Sequence, residues 1–180
     1  MGQYDPLEVA NYFLEQAWRE GIYDFNNLKL QKMVFLAHGW HLAYFDSPLI
    51  NEPVQAWRHG PVINSLYHNF KSKGFPYINQ LGTKLQRKDP NNINNFEYVN
   101  VSPKLPDAGD AEFCQSKNLI DAVFNQYKNY TGYQLSDLTH LNESPWHSVT
   151  EHIVGEIPHG IIIPDEIIKH YYKNLIKEGA

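Results

Sequence analysis

A dense run of apolar positions lies between Leu28 and Asp46. Its apolar side chains point in most directions around a helix, and this pattern predicts a helix that is buried on nearly all sides. Gly39 lies inside the run, although a glycine lowers helix stability by about 1 kcal/mol relative to alanine, which indicates that a neighbouring element packs close to the helix backbone there. We therefore expect the rest of the chain to pack around this central helix.

Apolar residues also recur at helical spacing in segments outside the central helix. The first segment has a typical helix start, with Asp5 as N-cap and Glu8 reaching back to it, and a glycine stop at Gly21. The other predicted helices cover Pro61–Lys73, Asp110–Tyr130, Leu135–Leu141, Ser144–Ile153 and a C-terminal segment from Pro164 onward, with Gly74 and Gly132 as predicted stops.

The residues between Phe75 and Asp107 follow a different pattern, in which short apolar runs are separated by prolines and asparagines. This pattern predicts a small sheet or hairpin, with strands over Tyr77–Lys88 and Phe96–Val101 and a turn at Asp89–Asn92. An extended piece at Pro53–Trp57 is expected to pair with another strand. The predicted fold class is mainly α (α+β), a compact helical domain around a buried central helix with a small antiparallel sheet or hairpin.

Composition narrows the class of protein further. A chain of 180 residues with 42% hydrophobic and 19% charged residues is typical of one globular domain, so we treat residues 1–180 as a single domain. Its formal net charge of -5 gives no general attraction to phosphate backbones or anionic membranes, and nucleic acid is not an expected partner. Cys114 is the only cysteine, which excludes an intrachain disulfide. No leader or membrane-spanning pattern is seen, and we expect a cytoplasmic protein.

Histidines provide the first candidate chemistry. His38 and His41 lie three residues apart on the predicted central helix, where they could share a face and bind zinc. No HExxH pattern, cysteine pair or acidic residue at matching spacing accompanies them, so we favour half-buried residues that hydrogen-bond to neighbours. The same interpretation applies to His140 and His147. We expect no metal and no cofactor.

Other catalytic and nucleic-acid signals are equally weak. Cys114 follows Phe113 in an amphipathic segment, which favours a packed or inert thiol. Neither a Gly-x-Ser-x-Gly elbow nor a glycine-rich phosphate loop is present, so we predict that the protein is not an enzyme. The basic run Lys84–Lys88 is typical of a charged edge strand. The segment Val62–Lys73 offers only two lysines as cations, which disfavours a DNA-reading helix.

The junction Trp57-Arg58-His59-Gly60-Pro61 is the strongest candidate for partner binding. Tryptophan and arginine are enriched at binding hot spots, and a helix that begins at Pro61 would expose N–H groups able to receive a partner carboxylate. The structural alternative is that Gly60 and Pro61 fix a turn while Trp57 fills the core. The two interpretations weigh equally for Arg58 and His59. The predicted partner-binding residues are Arg58, His59 and Trp57.

Several of these segments occur together, in order, in a known family. The matching residues are Leu30–Phe35, Gly39–Ala43, Pro48-Leu49, Ala56–Arg58, Gly60–Val62, Leu66-Tyr67, Leu135–His140 and Pro145-Trp146. With them the chain resembles the Panacea domain, a family that includes SocA-like antitoxins and phage-associated GepA proteins. The resemblance implies an antitoxin that neutralises a cognate protein toxin by direct binding, and SocA-like members additionally present the toxin to a protease.

Two alternatives stay open from the residues alone. One is a histidine-dependent metalloenzyme of unrecognised type, and the other is a phage-encoded regulator that binds a host protein. Few residues follow Ile153, so we expect neither a DNA-binding nor a partner-specific extension. The sequence sets neither the oligomeric state nor the identity of the toxin.

Overall fold

A computed structural model describes residues 2–73, 75–89, 91 and 96–179. Helices predominate, and they are joined by a small antiparallel sheet and a separate strand pair. In chain order the elements of the described part are α1 (Pro6–Arg19), α2 (Asn27–Phe45), β1 (Val54–Trp57), β2 (Gly60–Ile63), α3 (Asn64–Phe70), β3 (Lys84–Arg87), β4 (Tyr98–Val101), α4 (Ala111–Tyr127), α5 (Gly132–Thr139), α6 (Pro145–Thr150), β5 (Ile162–Ile163) and α7 (Asp165–Glu178). The predicted fold class is confirmed.

Helix α2 is the predicted central helix. The Asn26 side chain caps its start by accepting a hydrogen bond from the Lys29 N–H, and Asp46 ends it in the left-handed conformation at φ 54°. Helices α1, α4, α5 and α7 all pack against it, and side chains such as Met33 and Ala37 have no exposed surface. No described helix is both long and apolar enough to cross a membrane.

Gly39 lies where α7 crosses α2. A Cβ atom at this position would overlap the ring of Tyr172, which is 3% exposed. Tyr172 is held there by edge contacts with Trp40 and Phe35, whose ring centroids lie 4.9 and 6.3 Å away. The prediction that a neighbouring element packs against the backbone at Gly39 is therefore confirmed.

The β1–β2 pair, here called the first hairpin, corrects the sequence prediction at Pro61. Strands β1 and β2 pair antiparallel with Trp57 opposite Gly60, so that Arg58 and His59 form a two-residue turn. Pro61 lies in β2 and not at a helix start, and α3 begins only at Asn64. A proline without an N–H fits an edge strand as well as it fits a first helical turn, which explains the error. The sheet order is β2-β1-β5.

The β3–β4 pair, here called the second hairpin, confirms the predicted strand pairing. Lys84 pairs with Val101 and Arg87 with Tyr98, and the first strand is shorter than the predicted Tyr77–Lys88. The predicted turn Asp89–Asn92 includes Pro90 and Asn92, which lie outside the described residues, as does the predicted helix stop Gly74. Both strands of this hairpin are largely exposed.

The later helices begin close to their predicted positions, with one correction. Gly132 was predicted as a helix stop, but it is the first residue of α5. Thr131 and Gln134 form a capping box across this start, and this cap places the helix boundary before the glycine. Helix α6 begins at Pro145 behind the predicted N-cap Ser144, and α7 begins after Pro164.

Candidate functional site

The central helix supplies the side chains that hold the first hairpin. Gln31 Nε2 donates to the Ile63 carbonyl at 3.2 Å, and the Ile63 N–H donates to Gln31 Oε1 at 2.9 Å. The amide of Gln31 thus pairs with β2 as a neighbouring strand would, and it satisfies the outer edge of the sheet. Sequence analysis did not identify this role.

Lys32 holds the turn itself. Its Nζ donates to the carbonyl oxygens of His59 and Pro61, at 2.6 and 2.9 Å. The side chain is fully buried, and burial lowers the pKa of Lys32 to about 7 because the charged amine is desolvated. A neutral amine has two N–H groups, which match the two carbonyls. Sequence analysis missed this residue too, although a lysine within a helix predicted to be buried on all sides was a signal that it needed buried partners.

Gly60 is required by the closeness of this anchor. Its φ of 96° is in the region that favours glycine, and a Cβ would lie only 2.6 Å from Lys32 Nζ and 2.7 Å from Thr139 Oγ1. The structural interpretation of Gly60 as a turn residue is therefore confirmed.

Helices α5 and α6 hold the turn from the other side. Ser136 Oγ donates to the His59 carbonyl at 3.2 Å, and Trp146 Nε1 donates to the Trp57 carbonyl at 2.7 Å. The two parts of the family resemblance, which lie far apart in the sequence, thus meet at one turn. The backbone of this turn is fixed, while its side chains face outward.

A cleft of about 780 Å³ opens beside the turn. Its wall combines the N-terminal end of α2, the first hairpin, α3, α5 and the connection between α6 and β5. We call it the Trp57 cleft, and its lining residues are Asn27, Leu28, Gln31, Trp57, Arg58, His59, Val62, Tyr67, Tyr133, Ser136, Gly155, Glu156, Ile157 and His159.

All three residues predicted to bind a partner line the Trp57 cleft. Trp57 is half-buried and does not fill the core as the structural alternative expected. Its ring contacts Tyr67 and His159 edge-on, with centroids 4.8 and 5.2 Å away. Arg58 and His59 are exposed, and neither side chain forms an ion pair with any described residue.

One polar atom of the cleft wall lacks a partner. Asn27 Nδ2 donates to the Tyr67 carbonyl at 3.3 Å, but the buried Asn27 Oδ1 accepts no hydrogen bond from any described residue. The prediction that helix N–H groups at Pro61 receive a partner carboxylate is wrong, because no helix begins there. At the actual start of α3, the Ser65 N–H already donates to Glu52 Oε1 at 2.9 Å.

The histidines of the central helix are engaged by neighbours. His38 Nε2 lies 3.1 Å from Asp165 Oδ1, while His41 contacts the Ser47 carbonyl at 2.7 Å and Ser116 Oγ at 2.9 Å. Both are 1% exposed, so they are more buried than predicted. Burial also lowers the pKa of His41.

The other candidate residues also contact neighbouring side chains or backbone groups. His140 hydrogen-bonds the Ser136 carbonyl at 2.7 Å, and its ring lies 4.1 Å from that of Trp146. His147 lies 3.6 Å from Glu151. Cys114 is exposed on α4, so of the predicted packed or inert thiol the packed alternative is wrong. Across the described ranges, no group of three or more His, Cys, Asp or Glu side chains is placed to hold a metal ion.

Comparison with known proteins points to one family. A family model described as antitoxin SocA-like, Panacea domain, matches residues 30–147. The matched range contains Gln31, Lys32, the first hairpin, α5 and Trp146. The chain is also similar to antitoxin SocA of Caulobacter vibrioides (strain NA1000 / CB15N), with 28% identity over 169 residues that cover 94% of this chain and 82% of that protein. No solved structure matches the chain.

Proposed function

The chain belongs to the SocA-like Panacea domain family of antitoxins, and from this premise we propose that it neutralises a cognate protein toxin by binding it directly. In this proposal residues 1–180 act as one domain in the cytoplasm. The action is recognition and not catalysis.

The observation that supports this proposal best is the construction of the first hairpin. Four side chains from α2, α5 and α6 fix the backbone of the first hairpin. Lys32, Ser136 and Trp146 donate to carbonyls at or beside the turn, and Gln31 binds Ile63 at the other end of β2. The side chains of Trp57, Arg58 and His59 line the cleft. Arg58 and His59 form no ion pair with any described residue and are exposed. A rigid backbone that presents such side chains loses little entropy when it binds, which is the property of a preformed interaction site.

Delivery of the bound toxin to a protease is the second part of the proposal. An adaptor needs one surface for its cargo and another for the protease. The second hairpin and Phe96, which lies just before β4, provide a separate exposed apolar surface, with Leu85 69%, Phe96 73% and Tyr98 54% exposed. None of these residues lines the Trp57 cleft. Comparing toxin half-life in cells with and without this chain tests delivery, since an adaptor shortens the half-life and a simple inhibitor does not.

Co-expression with the adjacent open reading frame tests the proposed function. We expect the neighbouring product to arrest growth when expressed alone, this chain to restore growth, and the two proteins to purify as a complex. If neither neighbouring product is toxic and no complex forms, the antitoxin proposal fails.

Charge reversal at Arg58 is expected to weaken the complex about 10-fold, because a cation at the cleft would become an anion that repels a partner carboxylate. The measurement is the Kd for the purified toxin, together with growth rescue at low antitoxin expression. Arg19→Glu is the matched control, since Arg19 is exposed on α1, does not line the cleft and changes the net charge equally. An Arg58→Glu variant that binds as tightly as Arg19→Glu would argue against this face.

A further inference from the structure

The wall of the Trp57 cleft contains three groups that are available for contact with a binding partner. Its wall holds an acceptor without a donor at Asn27, a cation without an ion-pair partner at Arg58, and a ring that is 77% exposed at Tyr133. The acceptor pairs with a hydrogen-bond donor, the cation with an anion, and the exposed ring with an apolar group. Together these three requirements define the chemistry of a ligand that fits the cleft.

Asn27 Oδ1 is the most restrictive of the three groups. The amide orientation is set by Nδ2, which donates to the Tyr67 carbonyl at 3.3 Å and leaves the oxygen on the other side. A buried acceptor without a donor destabilises the protein that carries it, and such an atom calls for an explanation. The oxygen is buried, so a donor of the occupant reaches it after a small shift of the side chains around it.

Arg58 sets the sign of the charge that fits at the turn. Although the chain as a whole carries a net charge of -5, Arg58 places an exposed positive charge at the cleft, and no described residue forms an ion pair with it. Glu156 lies on another part of the wall and gives the cleft charges of both signs. A carboxylate beside Arg58 is therefore the favourable arrangement, and a carboxylate beside Glu156 is disfavoured.

The mode of binding is restricted by the sheet. An extended peptide often binds by adding a strand to a free sheet edge. The outer edge of β2 is not available for this, because Gln31 occupies the Ile63 amide and carbonyl and Lys32 occupies the Pro61 carbonyl. An occupant of the cleft must bind through its side chains and isolated N–H groups.

We propose that the occupant of the Trp57 cleft is an exposed segment of the cognate toxin in which a carboxylate neighbours an apolar side chain. The carboxylate pairs with Arg58, the apolar side chain packs against Trp57, Tyr67 and Tyr133, and one N–H of the segment donates to Asn27 Oδ1. This inference rests on the proposed function. It adds to that function the groups of the toxin that the cleft contacts.

The decisive variant is Asn27→Leu, because its expected effect on binding is separate from its effect on stability. Removal of the unsatisfied buried oxygen offsets the loss of the Nδ2 bond to the Tyr67 carbonyl and leaves the Tm close to that of the wild type, whereas losing the contact with the toxin raises Kd about 10-fold. A merely structural asparagine would lower Tm and leave the Kd of the folded fraction unchanged. Asn27→Asp keeps an acceptor and is expected to bind within about threefold of the wild type.

A charge exchange tests the carboxylate. The probe is the toxic product of the adjacent open reading frame, with each of its exposed Asp and Glu residues changed in turn to Lys. We expect one such toxin variant to bind Arg58→Glu about 10-fold more tightly than the unmodified toxin does. Arg19→Glu is expected to gain nothing from the same toxin variant.

Three results would overturn the inference. A wild-type chain that binds and rescues, while Asn27→Leu and Arg58→Glu bind equally well, would place the toxin on another surface and leave the antitoxin function intact. An equal gain in affinity of Arg19→Glu for the same toxin variant would mean general charge attraction and not a paired carboxylate. Absence of binding and rescue by the wild type would overturn the proposed function, and the inference would fall with it.

Discussion

Replacing Lys32 with alanine is expected to lower the free energy of unfolding by about 3–5 kcal/mol. The loss has two parts, because the substitution leaves the His59 and Pro61 carbonyls without their donor and empties the space of a fully buried side chain. The turn that carries Arg58 would also lose its anchor to α2. We therefore expect weaker toxin binding in the fraction that stays folded.

Chemical denaturation of three variants measures this effect. Lys32→Met keeps most of the side-chain volume but none of the hydrogen bonds, and it should lose less stability than Lys32→Ala. Lys177→Met is the control, because Lys177 is exposed on α7, and it should change stability by less than about 0.5 kcal/mol. Equal stabilities of Lys32→Ala and Lys177→Met would contradict the anchoring role.

The same residue makes stability depend on pH. Burial lowers the pKa of Lys32 to about 7 in the folded protein, whereas an unfolded lysine keeps its proton to near 10.5. Between these values the unfolded chain binds more protons, so raising the pH favours the folded state. Relative to Lys32→Met, the wild type should gain about 2 kcal/mol of stability between pH 7 and pH 9, and a flat difference would contradict the assignment.

A leucine at Gly39 is expected to lower the free energy of unfolding by more than about 3 kcal/mol, despite the better helix propensity of leucine. Even a Cβ overlaps the Tyr172 ring, and that ring is buried and packed against Trp40 and Phe35. The result should be partial detachment of α7 from α2. Thermal unfolding gives the loss in stability, and hydrogen exchange in α7 reports the detachment.

Removing the obstructing ring provides the control for this prediction. In a Tyr172→Ala background, Gly39→Ala no longer meets the ring and should be neutral or stabilising, by up to about 1 kcal/mol of helix propensity. In the wild-type background the same change should destabilise. Equal effects in both backgrounds would show that Tyr172 is not the cause.

The parts of the fold that were predicted correctly have local signals. The capping box from Asp5 to Glu8 and the all-round apolar pattern of α2 are read from neighbouring residues. The error at Pro61 arose because one residue type suits both a first helical turn and an edge strand, and only the pairing partner Ala56 decides between them. The pairing of β1 with β5 joins residues about a hundred positions apart and leaves no local pattern.

In the candidate site too, some residues have local sequence signals and others gain their role only from the fold. Trp57 and Arg58 could be singled out because their residue types favour interfaces. Lys32 and Asn27 could not be assigned in this way, because their importance depends on which carbonyls and donors the fold brings near them. Polar residues in a helix predicted to be buried are therefore a signal worth pursuing, since each needs a partner that another element must supply.

Site-specific photo-crosslinking tests most directly the claim that the toxin occupies the Trp57 cleft. A photoreactive phenylalanine analogue is placed either at Tyr133, 77% exposed at the cleft, or at Tyr98, 54% exposed on the second hairpin. We expect a covalent adduct with the toxin from position 133 and none from position 98. An adduct from position 98 alone would contradict toxin binding at the Trp57 cleft and would assign it to the second hairpin.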